Sequence, residues 1–190
     1  MCSSLGLAQN PQVTVFVYND ARIPEDILYR AERQAAKTFQ QAGVAALWLN
    51  CSAFGKPSCD GLDRPDHLVL RITPNVISSI SDSAFGIAFV GDDETGRNAD
   101  VFWKRVQQIQ QTAKVDVSLI LGSVMAHEMG HLLLGSRSHA VSGLMRARWQ
   151  PDELRLIRMG ALQFLPEQGQ RMRTKLERTL ERSERRATGQ

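Results

Sequence analysis

His127-Glu128-Met129-Gly130-His131 places two imidazoles four residues apart, with a carboxyl side chain directly after the first. On an α-helix four residues turn about 400°, so both rings leave one face, one turn apart. That spacing lets two ring nitrogens reach a single tetrahedral Zn²⁺ at about 2.0–2.1 Å. Glu128 sits about 100° further round, too far to be a natural third ligand. It is well placed, however, to accept a proton from a water at the ion. The chain has 4 histidines, and His127, His131 and His139 all fall within residues 127–139.

The residues that follow extend the pattern. Gly135 can take the left-handed conformation that ends a helix, which lets the chain turn back beneath the ion. His139 is then the natural third ligand, and Met145, in a tight turn after Gly143, is an apolar floor for the imidazoles. Two blander readings compete with this one. A helix can carry His127 and His131 with no metal at all. A purely structural zinc is the other, but such sites usually take four protein ligands, often cysteines. Three histidines with no nearby cysteine leave the fourth position to water.

In order and character these residues resemble the metzincin clan, whose usual pattern is HExxHxxGxxH followed by a Met-turn. Here the glycine comes one residue late and the third histidine two residues late. Arg137 stands where the usual pattern has its last histidine, and a guanidinium cannot ligate zinc. The likeness is to a divergent, matrixin-like metzincin and rests on residues 116–149. It implies an α+β, zincin-like fold: a twisted mixed sheet, an active-site helix, a Met-turn and a C-terminal helix. It also implies a zinc-dependent endopeptidase acting on peptides or proteins, with His127, His131 and His139 as ligands and Glu128 as catalytic base. The only tyrosines are Tyr18 and Tyr29, so the tyrosine that follows the motif in astacin-like enzymes is absent.

The resemblance suggests further site residues. Ser83–Gly91 resembles the edge strand on which matrixins hold substrate, with Gly86, Ile87 and Ala88 offering backbone groups to an extended peptide. An ordinary strand with a glycine bulge fits the same residues. The loop Asp92–Asp100 has oxygen ligands enough for Ca²⁺, as matrixins often carry, but its spacing departs from the EF-hand and a solvated turn is the simpler reading. The segment after the Met-turn, Arg146-Ala147-Arg148-Trp149, lines the pocket for the residue following the scissile bond in metzincins. Arg146 or Arg148 there would favour an acidic side chain. In the alternative both arginines face solvent or anchor the last helix, and Trp149 packs in the core. Two other functions stand beside the peptidase: a catalytically silent zinc-fold binding module, against which the intact Glu128 counts, and a zinc hydrolase of a non-protein substrate.

Several elements must position these groups. Val13–Tyr18 reads as a buried strand. Pro24, Glu25 and Asp26 open a helix to about Ala42, with Ile27, Leu28, Ala31, Ala35 and Phe39 at helical spacing and Gly43 ending it. Strands are expected at Val44–Leu49, His67–Ile72, Ala84–Val90 and Asp100–Trp103. The motif helix runs from about Asp116, its N-cap, to Leu134. A last core helix starts at Pro151, with Asp152 and Glu153 in its first turn.

At 190 residues with 43% hydrophobic and 23% charged side chains, the composition is that of one ordinary globular domain. The expected division is a remnant of a signal peptide at 1–9, a catalytic domain at 10–165 and a charged helical tail at 166–190. The formal charge is +3, and the tail carries all of it, with seven Lys/Arg against four Glu. Its Met172, Leu176 and Leu180 make a stripe, and Glu181 and Arg185 an i,i+4 pair. Aromatics are sparse and no basic face is interleaved with them, which argues against nucleic acid. The apolar stretch Val117–Ala126 is well short of the ~20 residues of a membrane span. A monomer is expected. Cys51 and Cys59 bracket a loop-like segment and can close a disulfide, leaving Cys2. Small residues at Gly6-Leu7-Ala8 suit a signal-peptidase site, so export to the periplasm or outside is expected. The alternative is a cytosolic protein with three free thiols.

Overall fold

The computed structural model describes residues 10–51, 59, 67–76 and 84–188. In chain order these form β1 (Gln12–Asn19), α1 (Glu25–Gln41), β2 (Ala45–Cys51), β3 (His67–Thr73), β4 (Gly86–Ala88), β5 (Asn98–Phe102), α2 (Trp103–Ala113), α3 (Val117–Leu134), α4 (Pro151–Arg158) and α5 (Pro166–Ala187). The strands lie in the order β2-β1-β3-β5-β4. The first four are mutually parallel and β4 alone runs antiparallel, against β5. The fold is therefore α+β with a mixed sheet, and among the described residues β4 is one of its two edges.

Period-two alternation in β1 turns Val13, Val15 and Val17 toward the helices, and each is essentially buried. Leu28, Ala31, Ala35 and Phe39 do the same from α1, while Ile27 is only partly covered. Beside α1, and packed over β5 and β4, lies α3, which is apolar on every side and accordingly buried on nearly every side. By length and composition it could cross a membrane, but 89% of it is buried inside this core. Its start is fixed by the Asp116 carboxylate, which accepts from Ser118 N at 2.8 Å, a cap worth about 1 kcal/mol. The crossing with α1 is close: a Cβ on Gly122 would stand 2.5 Å from Ala31 O.

Two expectations change. The strand expected over 84–90 is shortened to Gly86–Ala88, with Val90 and Gly91 turning into the following loop, and Ser83 lies outside the described residues. Trp103 belongs not to a strand but to α2, which sequence reading passed over. There Trp103, Val106 and Ile109 recur every three residues on helix-forming Gln, Lys and Arg, and they pack on the core. The charged tail forms α5, and its stripe packs on the core: Met172 and Leu176 are buried, Arg173 Nη1 donates to Ala42 O at 2.6 Å, and Lys175 Nζ donates to Leu132 O at 3.2 Å. That lysine sits at the C-terminal end of α3, where a cation complements the helix dipole. The Glu181–Arg185 pair forms at 3.4 Å on the exposed side. Cys51 and Cys59 are joined, with Cα atoms 5.7 Å apart. Residues 1–9 and Cys2 lie outside the described residues.

Candidate active site

α3 delivers His127, Glu128 and His131 from its last two turns, and all three are buried. Gly135 ends the helix at φ +64°, and Ser136 N donates back to His131 O at 3.1 Å. The chain reverses there and brings His139 to the other two. One ligand atom from each of His127, His131 and His139 lies within 4.8 Å of the others.

Two backbone carbonyls fix the tautomers. His127 Nδ1 is 2.8 Å from Leu144 O, and His131 Nδ1 is 2.7 Å from Ser136 O. A carbonyl only accepts, so each Nδ1 carries the proton and donates it. Burial, with His131 alongside, pushes His127 down to about 3, and burial also lowers His131 and His139, so the rings are neutral. Each Nε2 of the helical pair is then a bare lone pair, and the two stand 3.2 Å apart. Facing acceptors repel unless a cation lies between them. Tetrahedral bonds of about 2.0–2.1 Å set ligand nitrogens roughly 3.3 Å apart, so the pair is spaced for Zn²⁺. Neutral imidazole with its far nitrogen bonded to a carbonyl is the metal-binding form.

Beneath the histidines the chain makes a tight turn. Gly143 takes φ +75°, Arg146 N donates to Gly143 O at 3.2 Å, and Met145 is 1% exposed. A Cβ on Gly130 would stand 2.7 Å from both Met145 Sδ and Phe164 Cε1, so Gly130 leaves the space that this floor fills. Leu144 O serves twice, since Trp149 Nε1 also donates to it at 3.1 Å. Trp149 is buried and stacks on Phe85 with centroids 4.8 Å apart.

Burial pushes the Glu128 carboxyl up to about 8. Its side chain lies against β4: a Cβ on Gly86 would be 2.8 Å from Glu128 Cγ and 2.3 Å from Asp100 O. Gly86 thus lets the edge strand approach both its partner and the carboxylate. Gly86→Ala is expected to force β4 away, destabilising the protein by about 1–3 kcal/mol, as overpacking does. Chemical denaturation checks this, and an unchanged midpoint would mean that the strand yields freely.

A cleft of about 700 Å³ runs along β4 over these groups, lined by residues 84–91, the three histidines, Glu128, Arg137, Ala147 and Arg148. Gly86, Ile87, Ala88 and Arg148 are therefore brought together with the histidines. Arg146 is not. It turns to Glu153, 3.1 Å away, whose carboxylate also accepts from Gln150 N at 2.9 Å and caps α4. Its role as a specificity residue gives way to that of an anchor for the last core helix. The calcium reading also falls. Asp93 spends its carboxylate on Thr95 N and Oγ1, and among the described residues His127, His131 and His139 are the one group able to hold a metal.

Sequence reading missed the two orienting carbonyls, which have no side-chain signature, and the part played by Arg137. The Nε of Arg137 donates to Val90 O at 2.9 Å, and its Nη2 donates to the same oxygen. Arg137 thus ties the segment that carries His139 to Val90, two residues beyond β4.

No protein-family model matches this sequence, and no curated protein matches it. The fold nevertheless has solved counterparts. A zinc-dependent peptidase from Methanocorpusculum labreanum superposes with a TM-score of 0.55 at 15% identity, over 83% of this chain and 99% of that one. Archaemetzincin from Methanopyrus kandleri superposes with a TM-score of 0.54 at 17% identity, over 93% and 99%. The architecture is thus that of zincin-like zinc peptidases.

Proposed function

We propose that this protein is a zinc-dependent endopeptidase of a divergent metzincin type. The observation that carries the reading is the placement of a buried carboxylate, Glu128, between a histidine triad spaced for zinc and an open sheet edge. His127, His131 and His139 hold the ion. When bound, zinc supplies Lewis acidity, activating a water and polarising a carbonyl. Glu128 takes the water's proton on a carboxylate oxygen and passes it to the leaving amine. Leu144 O and Ser136 O keep the two helical imidazoles oriented through their Nδ1 protons. Gly86 and Ala88 pair with the substrate backbone, Ile87 sets the strand between them, and Arg148 lines the cleft. The Cys51–Cys59 bond supports export to an oxidising compartment.

The zinc-loaded protein, incubated with a proteome-derived peptide library, is expected to create new internal termini readable by mass spectrometry. Chelation abolishes them and added zinc restores them. Retained zinc with no cleavage of any peptide, alongside tight binding of a protein, would replace this reading with that of a binding module.

A further inference from the structure

Backbone direction alternates along β4. Ile87 is in register with Asp100, Phe89 N donates to Asn98 O at 2.9 Å, and Phe102 N donates to Phe85 O at 2.9 Å. Residues 85, 87 and 89 thus direct their backbone groups at β5, Gly86 and Ala88 turn theirs toward the open edge, and the carbonyl of Val90, two residues beyond β4, faces Arg137. A peptide laid along that edge can pair with Gly86 and Ala88. At Val90 the acceptor is already taken by the Arg137 guanidinium, which stands where the next N–H of a lengthening strand would dock.

We propose that Arg137 closes the substrate edge at Val90 and selects peptides that carry a carboxylate there, about four residues, or ~13 Å of extended chain, from the residue opposite Gly86. This rests on the peptidase reading and names the substrate class for the same cleft. A guanidinium has five N–H donors in a planar fork, and Val90 O uses two of them. The side chain is 67% exposed, and its contact with the fully exposed Asp92, at 3.8 Å, is loose. The remaining donors face solvent in a geometry that suits a carboxylate. The charge of the cleft agrees. Among the described residues that line it, the ionisable groups besides the histidines and Glu128 are Arg137 and Arg148, both cationic. The carboxylate can come from an acidic side chain or from the C-terminus of the peptide.

The test uses the zinc-loaded full chain and peptides in which a single glutamate is moved position by position and compared with glutamine, each made with a free and an amidated C-terminus. We expect kcat/KM to favour glutamate by about tenfold when it lies some four residues from the scissile bond, the scale of one charge-assisted contact. Arg137→Gln, which keeps a donor for Val90 O without the charge, brings that ratio close to one, and Arg137→Lys restores part of it. If amidation abolishes the preference, the carboxylate is the chain end; if the preference survives amidation, it is a side chain. A ratio near one in the wild type, or a ratio unchanged in Arg137→Gln, overturns the assignment. Should no peptide be cleaved at all, the peptidase reading fails separately, and the same peptides are titrated into zinc-loaded Glu128→Gln protein by fluorescence anisotropy. Glutamate preference that disappears when Arg137→Gln is added supports the role of Arg137 there. No preference, or one that persists, removes it.

Discussion

Glu128→Gln is expected to leave the fold and the zinc in place and to lower peptide hydrolysis by at least about 10²-fold, the lower end of what general acid–base catalysis supplies. Glutamine has nearly the shape of glutamate, so the packing against Gly86 survives, but its amide cannot hold a transferable proton. The metal should stay because its ligand set does not include Glu128. The variant should also gain stability in the metal-free state. Burial raises the carboxyl from 4.5 to about 8, so the folded chain holds this proton more tightly than the unfolded chain does. Stability from this group is then lost as pH rises from about 4.5 toward 8, and the gain in Glu128→Gln grows across that window. Metal analysis, kcat/KM and denaturation at pH 5 and pH 8 make the three checks. Near-normal turnover would remove Glu128 from the mechanism, and loss of zinc would make it a ligand.

The site was legible wherever chemistry depends on side-chain type at a fixed spacing. The step from His127 to His131 places two rings on one helical face by geometry alone, and the helix stop at Gly135, which returns the chain toward His139, needs only a residue tolerant of φ +64°. The strands carrying runs such as Val13–Tyr18 were equally open to reading, because a buried strand needs little beyond a β-branched, apolar run. What stayed hidden depends on pairing. The Nδ1 protons of His127 and His131 go to backbone oxygens of Leu144 and Ser136, and every residue has such an oxygen. Arg146 and Arg148 look alike in the sequence; the first meets Glu153 only because α4 starts where it does. α2 was missed for another reason. Trp103-Lys-Arg-Val continues directly from β5 with no proline, glycine or capping side chain to mark the change of period. Arg137 was recognisable only as a residue that cannot bind zinc, since its partner Val90 is 47 positions away.

Zinc affinity should divide the triad unequally, and His139→Ala is the variant that shows it. His127 and His131 stand on the most deeply buried helix among the described residues and are oriented by carbonyl partners. His139 comes from the short 136–140 segment and is exposed, so its removal leaves the core untouched. Apparent zinc binding of about 10–16 kcal/mol across four ligands assigns roughly 3 kcal/mol to each, so His139→Ala should weaken zinc by about 10²-fold or more. The same loss has a thermal signature. Zinc at 100 times its dissociation constant stabilises the folded state by about 2.7 kcal/mol. At about 2–4 °C per kcal/mol for a chain of this size, wild-type Tm should rise by some 5–10 °C. In His139→Ala the metal-free Tm should match the wild type, and the rise at the same zinc concentration should shrink to about 1–2 °C or less. Competition titration with a chromophoric chelator reads the affinity directly. Wild-type affinity in His139→Ala would sink the three-histidine centre, and the third ligand would then have to lie outside the group that the fold brings together.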